Sequence, residues 1–280
     1  MNSRSAWMLV LVSGLAGLLG GTGAAQQQTP TASPPLASAH ELYEYVGTLG
    51  DNLRIGMSLR FSKDRRQISG TYFYAKYGRD IRLEGEADGR TVKLREFDEA
   101  GRQTAAFSGQ FPEQDPRGRY GTSKLDREVL TGTWSKAGDP AEHSFQVSLT
   151  HISFAKPNEP RYAVAGFTSD AAVEAFAQKF RAAVLKREAD VVAGMLAYPM
   201  QINVGGRKRF ATSAAVKQSF DLIFDPELVK RIDASIPFHM FARDQGVMLG
   251  NGEVWIAPYP LKSGPDGKPV LVPRVSAIHR

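Results

Sequence analysis

The chain has 280 residues, 42% of them hydrophobic, with 35 Lys and Arg against 29 Asp and Glu, a formal net charge of +6 and no cysteine. The lack of cysteine excludes disulfides, thiolate metal sites, a Cys nucleophile and the lipid-modified cysteine of a bacterial lipoprotein. Basic residues scattered among 29 acids argue against nucleic acid as a partner, while the modest positive excess suits attraction to anionic surfaces such as envelope lipids or wall polymers.

In chain order, Arg4, the apolar run from Ala6 to Leu19 and the small residues Gly23-Ala24-Ala25 before Gln26 have the layout of a secretory signal peptide, residues 1–25. The alternative is an uncleaved anchor, but four glycines after position 16 make a poor spanning helix. Cleavage would leave no stable membrane anchor and a periplasmic or secreted protein, and an exported chain without cysteine is more often bacterial than eukaryotic. Residues 26–39, QQQTPTASPPLASA, cannot build a core and read as a disordered linker. The remaining residues suit two domains of about 100 to 150 each.

Residues 40–155 alternate with period two and are broken by turn residues, as in an all-β antiparallel barrel or sandwich. Strands are expected at 54–61, 67–74, 81–87, 91–97, 104–111, 129–134 and 144–150. The pattern of large apolar residue, Gly and aromatic recurs on one strand face in ISGTY (68–72), FSGQF (107–111) and LTGTW (130–134). It fits an aromatic-lined cavity, or a curved sheet whose glycines relieve crowding at bends. Tyr72, Tyr74 and Tyr77 are candidates for a sugar- or wall-binding platform, because tyrosine joins an apolar ring to a hydrogen-bonding tip.

LTGTW locally resembles strands of lipocalin and avidin barrels. The longer run ISGTYFYAKYGRDIRLEGEADGRTVKLREFDEAG resembles a β module of exported bacterial proteins of unassigned function, a likeness that brings no catalytic residues with it.

Residues 156–167, with PNEPRYAVAG, read as an interdomain linker. From 168 to 280 helix periodicity enters. Ser169-Asp170 can cap a helix running to about Lys186, a short helix follows at 190–196, and a strand at 200–204 leads to GGRKR as a turn. Thr212 or Ser213 can cap a helix through Phe224, and Asp225-Pro226 starts another through Ala234. In DQGVMLGNGEVWI, Asn251-Gly252 predicts a two-residue type I′ hairpin turn with Trp255 facing away from Val254 and Ile256, and a last strand is expected at 270–278.

This order, with FAQKFRAAVLKREADVVAGMLAYPMQI, SFDLIFDP and GVMLGNGEVWI, resembles the NTF2-like cone domain of exported bacterial proteins. The expected fold class is therefore α+β, an all-β barrel or sandwich followed by an NTF2-like cone. The resemblance implies a pocket between sheet and helices, for which Tyr198, Asp221, Phe224, Met248 and Trp255 are the lining candidates, with Phe220, Phe238 and Met240 beside them. Asp221, between Phe220 and Leu222, would serve as a proton-transfer acid if buried.

His40, His143, His151, His239 and His279 lack metal-ligand spacing, so no metal is expected, and nothing implies a cofactor. The expected function is a non-enzymatic binding protein of the bacterial envelope with an unknown ligand or protein partner, and possible homodimers through the C-terminal domain. The alternatives are an NTF2-like hydrolase or isomerase with Asp221 and Tyr198 facing one cavity, and a toxin-immunity or hydrolase-inhibitor protein.

Overall fold

The computed structural model describes residues 41–112, 128–154, 156, 158–203, 207–263 and 269–279. The signal-peptide and N-terminal linker expectations, and His40, lie outside the described residues.

Eight antiparallel strands close into a barrel, in which every strand pairs with its sequence neighbour and the last returns to the first. They are β1 (Glu41–Leu49), β2 (Leu53–Phe61), β3 (Gln67–Tyr74), β4 (Ile81–Asp88), β5 (Thr91–Phe97), β6 (Gln103–Gln110), β7 (Val129–Lys136) and β8 (Glu142–Phe154). The β1–β8 ladder, in which Tyr45 pairs with Leu149 and Gly47 with Val147, decides for the barrel over the sandwich. β1 was absent from the expected strands, and β8 runs longer at both ends than 144–150.

The interior is filled by alternate residues, among them Tyr45, Met57, Leu59, Leu83, Phe107 and Leu130, each at most 1% exposed. The glycine repeat therefore serves curvature and not a cavity. A Cβ on Gly70 would stand 1.9 Å from the Ser58 carbonyl oxygen, and one on Gly132 2.0 Å from that of Ser108. Only glycine lets neighbouring backbones close in that far. Outward positions of β4 and β5 carry Arg82, Glu84, Glu86, Lys93 and Arg95, the reverse of a lipid-spanning barrel, whose outer band is apolar.

The second body is α+β. Its sheet has the order β10-β9-β14-β13-β12-β11, built from β9 (Met200–Asn203), β10 (Arg207–Phe210), β11 (Phe241–Arg243), β12 (Gly246–Leu249), β13 (Val254–Ser263) and β14 (Pro269–Ile278). Among the described residues five α-helices accompany it, α1 (Asp170–Leu185), α2 (Ala189–Gly194), α3 (Ser213–Gln218), α4 (Phe220–Ile223) and α5 (Pro226–Ala234), with a 3-10 turn at Ala163–Ala165 before them. The expected caps form: Ser169, Thr212 and Asp225 accept from the backbone N–H groups of Ala172, Ala215 and Leu228. None of the helices among the described residues is long and apolar enough to cross a membrane.

Three expectations are corrected. The single helix through Phe224 breaks at Ser219, whose φ of −106° and ψ of 18° leave the helical range. Part of GGRKR is not a turn, since Arg207–Phe210 pairs with β9. The hairpin forms, but Leu249 pairs with Val254 and leaves a four-residue loop in which Gly250 (φ 79°) and Gly252 (φ 112°) take the positive dihedrals, and Asn251 does not. Glu253 closes that loop: its carboxylate accepts from the Asn251 N–H at 2.6 Å and meets Arg231 Nε at 3.2 Å.

Tyr162, Ala165 and Phe167, in the stretch read as a linker, are buried in the core of the second body. Although each body has its own core, both belong to one compact unit.

Candidate functional site

Period two places every second barrel side chain outside, and where β8, β1, β2 and β3 lie side by side the register lines up four of them. His151 pairs with Glu44, Glu44 with Ser58, and Ser58 with Thr71. Glu44 and Ser58 are only 4% and 3% exposed, on the face where polar residues are normally wet. The second body covers them.

Its contribution comes from two segments. Asp170, at the start of α1, accepts from the backbone N–H groups of Arg161 and Tyr162 at 2.8 and 3.1 Å, which sets Arg161 against the barrel. There the guanidinium pairs with Glu44. The second segment, 238–241, turns sharply at His239, a non-glycine residue at φ 49°. Its N–H donates to Glu174, and the next, of Met240, donates to the Tyr162 hydroxyl, itself bonded to Glu174. Burial raises the Glu174 carboxyl above its ordinary pKa in spite of those donors.

The His239 ring is sandwiched. Phe238 stacks on it at 4.3 Å, and Phe73 of β3 meets it edge-on at 5.0 Å. Phe73 can lie there because Gly56, its cross-strand partner, has no side chain; a Cβ at Gly56 would stand 2.2 Å from the ring tip. His239 Nδ1 lies 2.9 Å from Ser58 Oγ and 3.2 Å from Arg161 Nη2, and Nε2 lies 3.2 Å from Asp80 Oδ2. Arg161 can only donate, so Nδ1 accepts and the ring proton on Nε2 points to Asp80. Burial works to raise the Asp80 carboxyl, but hydrogen bonds from His239 and Thr71 and the Arg161 charge outweigh it and hold it below the usual value.

Ser58, His239 and Asp80 are the residue types of a nucleophilic triad, yet the geometry is that of a clamp. Ser58 lies 2.5 Å from Glu44 Oε2, a second acceptor competing with His239 for its one proton. The hydroxyl is also sealed between the barrel wall, Arg161 and the imidazole, so an acyl carbon has no approach to it.

Beside the clamp the two bodies leave a groove in two chambers. One, of about 640 Å³, is lined by residues that include Arg54, His151, Arg231, Phe241, Met248 and Asn251. The other, of about 670 Å³, is lined by residues that include Asn52, Tyr74, Lys76, Tyr77, Gln178 and Arg181. Arg54, Ser235, Ile236 and Phe238 line both. Burial, aided by the Arg161 charge and opposed by Glu44, lowers the proton affinity of His151.

The residues expected in a sheet–helix pocket separate. Phe224 is core, at 0% exposure among Phe180, Phe220 and its neighbours. The Asp221 side chain is 81% exposed and pairs with Arg187, so the burial its role as an acid required is absent. The Tyr198 hydroxyl donates to the Ala193 carbonyl at 2.8 Å. Met248 and Trp255 are cross-strand partners facing away from the core; Met248 reaches the groove, and Trp255 packs on Phe241 and under Arg243.

The three tyrosines also divide. Tyr72 lies inside the barrel and donates to Glu96 at 2.6 Å, with Thr104 and Trp134 as further donors to that carboxylate. Tyr74 and Tyr77 line the groove, Tyr77 being 71% exposed.

Arg161 and the pairing of Glu44 with Ser58 were missed because their partners stand 117 positions away or on a neighbouring strand, and Arg54 because only the docking of the second body makes a groove beside it. One local signal was present: TYFY puts Phe73 on the outward face, where alternation calls for a polar residue. Among the described residues no group of three or more His, Asp or Glu could hold a metal ion. In comparison with known proteins, no family model matches the chain and no curated protein matches it.

Proposed function

We propose that this is an exported, non-enzymatic binding protein of the bacterial envelope, which takes its ligand in the groove between barrel and α+β body. The observation that carries this reading is where space is left. Side chains fill the barrel interior and the helix–sheet core; pockets of about 450 and 590 Å³ lie on the β4–β6 side of the barrel, but only the junction chambers share lining residues from both bodies, and each is of a size that suits a ligand. The element order of the second body supports a kinship with the NTF2-like cone, and its filled core moves the binding surface to the outer face that Met248 reaches.

Export is tested by expression with the native leader. Recovery in the periplasm or medium, with a new N-terminus after Ala25, is expected; a full-length cytoplasmic product counts against export. Binding is tested with Asn251→Cys, which introduces the sole thiol of the chain on the groove wall, labelled with an environment-sensitive dye. Wall fragments, lipids and envelope proteins are titrated in turn, and a saturable dye response to one of them is expected. A dye that stays silent across all three classes refutes the groove as the ligand site.

A further inference from the structure

The lining of the groove also specifies a ligand. Resting on the reading that the junction groove is the ligand site, we infer that it takes an elongated acidic oligosaccharide, a run of sugar rings bearing carboxylate or sulfate groups.

The groove is longer than either chamber alone. Because Arg54, Ser235, Ile236 and Phe238 border both chambers, these meet across a saddle and do not form separate pits. Each is of the size that holds one drug-sized molecule, so together they suit a chain of several rings.

The sign of the charge follows from what is missing. The chain as a whole carries 29 acids against 35 bases, yet among the described residues no Asp or Glu lines either chamber, while Arg54, Lys76, Arg181 and Arg231 do. Arg181 and Arg231 are already paired with Asp233 and Glu253. Arg54 and Lys76 form no ion pair among the described residues. Two cations without a carboxylate partner among the described residues, Arg54 and the Lys76 that sits over the Tyr77 ring, spaced along one groove favour an anion with more than one charge.

The remaining lining favours sugar over an acidic peptide. Tyr77, the most exposed of the large apolar residues around the groove, carries the Lys76 ammonium over one side of its ring at 5.5 Å and has the other side for the C–H face of a pyranose ring, with Tyr74 beside it. Asn52, Gln178 and Asn251 are exposed amides, each able to donate and accept, which is what vicinal hydroxyls require.

The test uses the full chain and four probes of matched length: galacturonate oligomers, sulfated oligosaccharides, methyl-esterified galacturonate and poly-glutamate. Calorimetry and the Asn251→Cys dye are read in parallel. Binding of at least one acidic oligosaccharide is expected, weakening as salt is raised. The esterified oligomer should bind about tenfold more weakly, and Arg54→Ala should lose about tenfold in affinity, the scale of one charge-assisted hydrogen bond. Tyr77→Ala, at an exposed position, should lose affinity without a change in melting temperature.

Equal binding of poly-glutamate or of the esterified oligomer overturns the inference, as does an Arg54→Ala variant with unchanged affinity. If an envelope component moves the dye and both acidic oligosaccharides fail, the ligand class is wrong and the groove reading stands. If nothing moves the dye, both fall.

Discussion

Arg161→Ala tests the junction most directly. The substitution takes the guanidinium away from the Glu44 carboxylate, whose side chain is 5% exposed, and leaves it the Ser58 hydroxyl as a donor with the Arg60 charge nearby. Breaking a buried ion pair by removing one partner costs about 3–5 kcal/mol, because the survivor is a charge out of water without compensation. In a chain of this size that corresponds to a fall in melting temperature of roughly 10 °C.

Urea unfolding should be followed at two places. Trp134 reports on the barrel and Trp255 on the second body, so single-tryptophan variants separate a joint loss of stability from unfolding of one body first. Glu44→Leu with Arg161→Met should recover most of the loss, because an apolar pair leaves no charge stranded. A cost for Arg161→Ala below about 1 kcal/mol is the value of a solvent-exposed pair and would refute the reasoning.

Gly70→Ala should destabilise the barrel by about 1–3 kcal/mol in chemical denaturation, since the new methyl meets the Ser58 carbonyl at 1.9 Å and a backbone atom cannot swing aside. Gly252→Val should cost about 1–3 kcal/mol by forcing a β-branched residue to φ 112°, with affinity in the groove retained. His151 has a folded proton affinity below its ordinary value of 6.5, so the unfolded chain binds the proton first as pH falls. Its contribution is therefore complete above about pH 6.5 and lost as pH drops through the lowered pKa; His151→Phe should flatten the stability profile in that window. Asp221→Asn, at an exposed ion pair, should change stability by less than about 0.5 kcal/mol in the same assay.

What could be read in advance was whatever depends on near neighbours in the chain. The alternation of β3 to β7, the caps at Ser169, Thr212 and Asp225, and the 3.6-residue stripe of α1 all arise within a few residues of each other. The loop at 250–253 escaped because two different turns satisfy the same glycines, and the choice fell to Glu253, held by Arg231 from α5. The clamp escaped for a stronger reason. Glu44, Ser58 and Phe73 each look like ordinary strand residues, and only barrel closure together with the docking of Arg161 and His239 gives them partners.

Because Glu44, Ser58 and Phe73 are covered by the second body and not by the barrel, neither half of this chain can be cut out as a clean cassette. A barrel ending at Phe154 would carry an open wound of one carboxylate and one phenyl ring, and its former neighbour would carry the matching arginine and histidine. Fusion or truncation at 155–160 would thus separate a lock from its key, so the two bodies can be transplanted only as a pair.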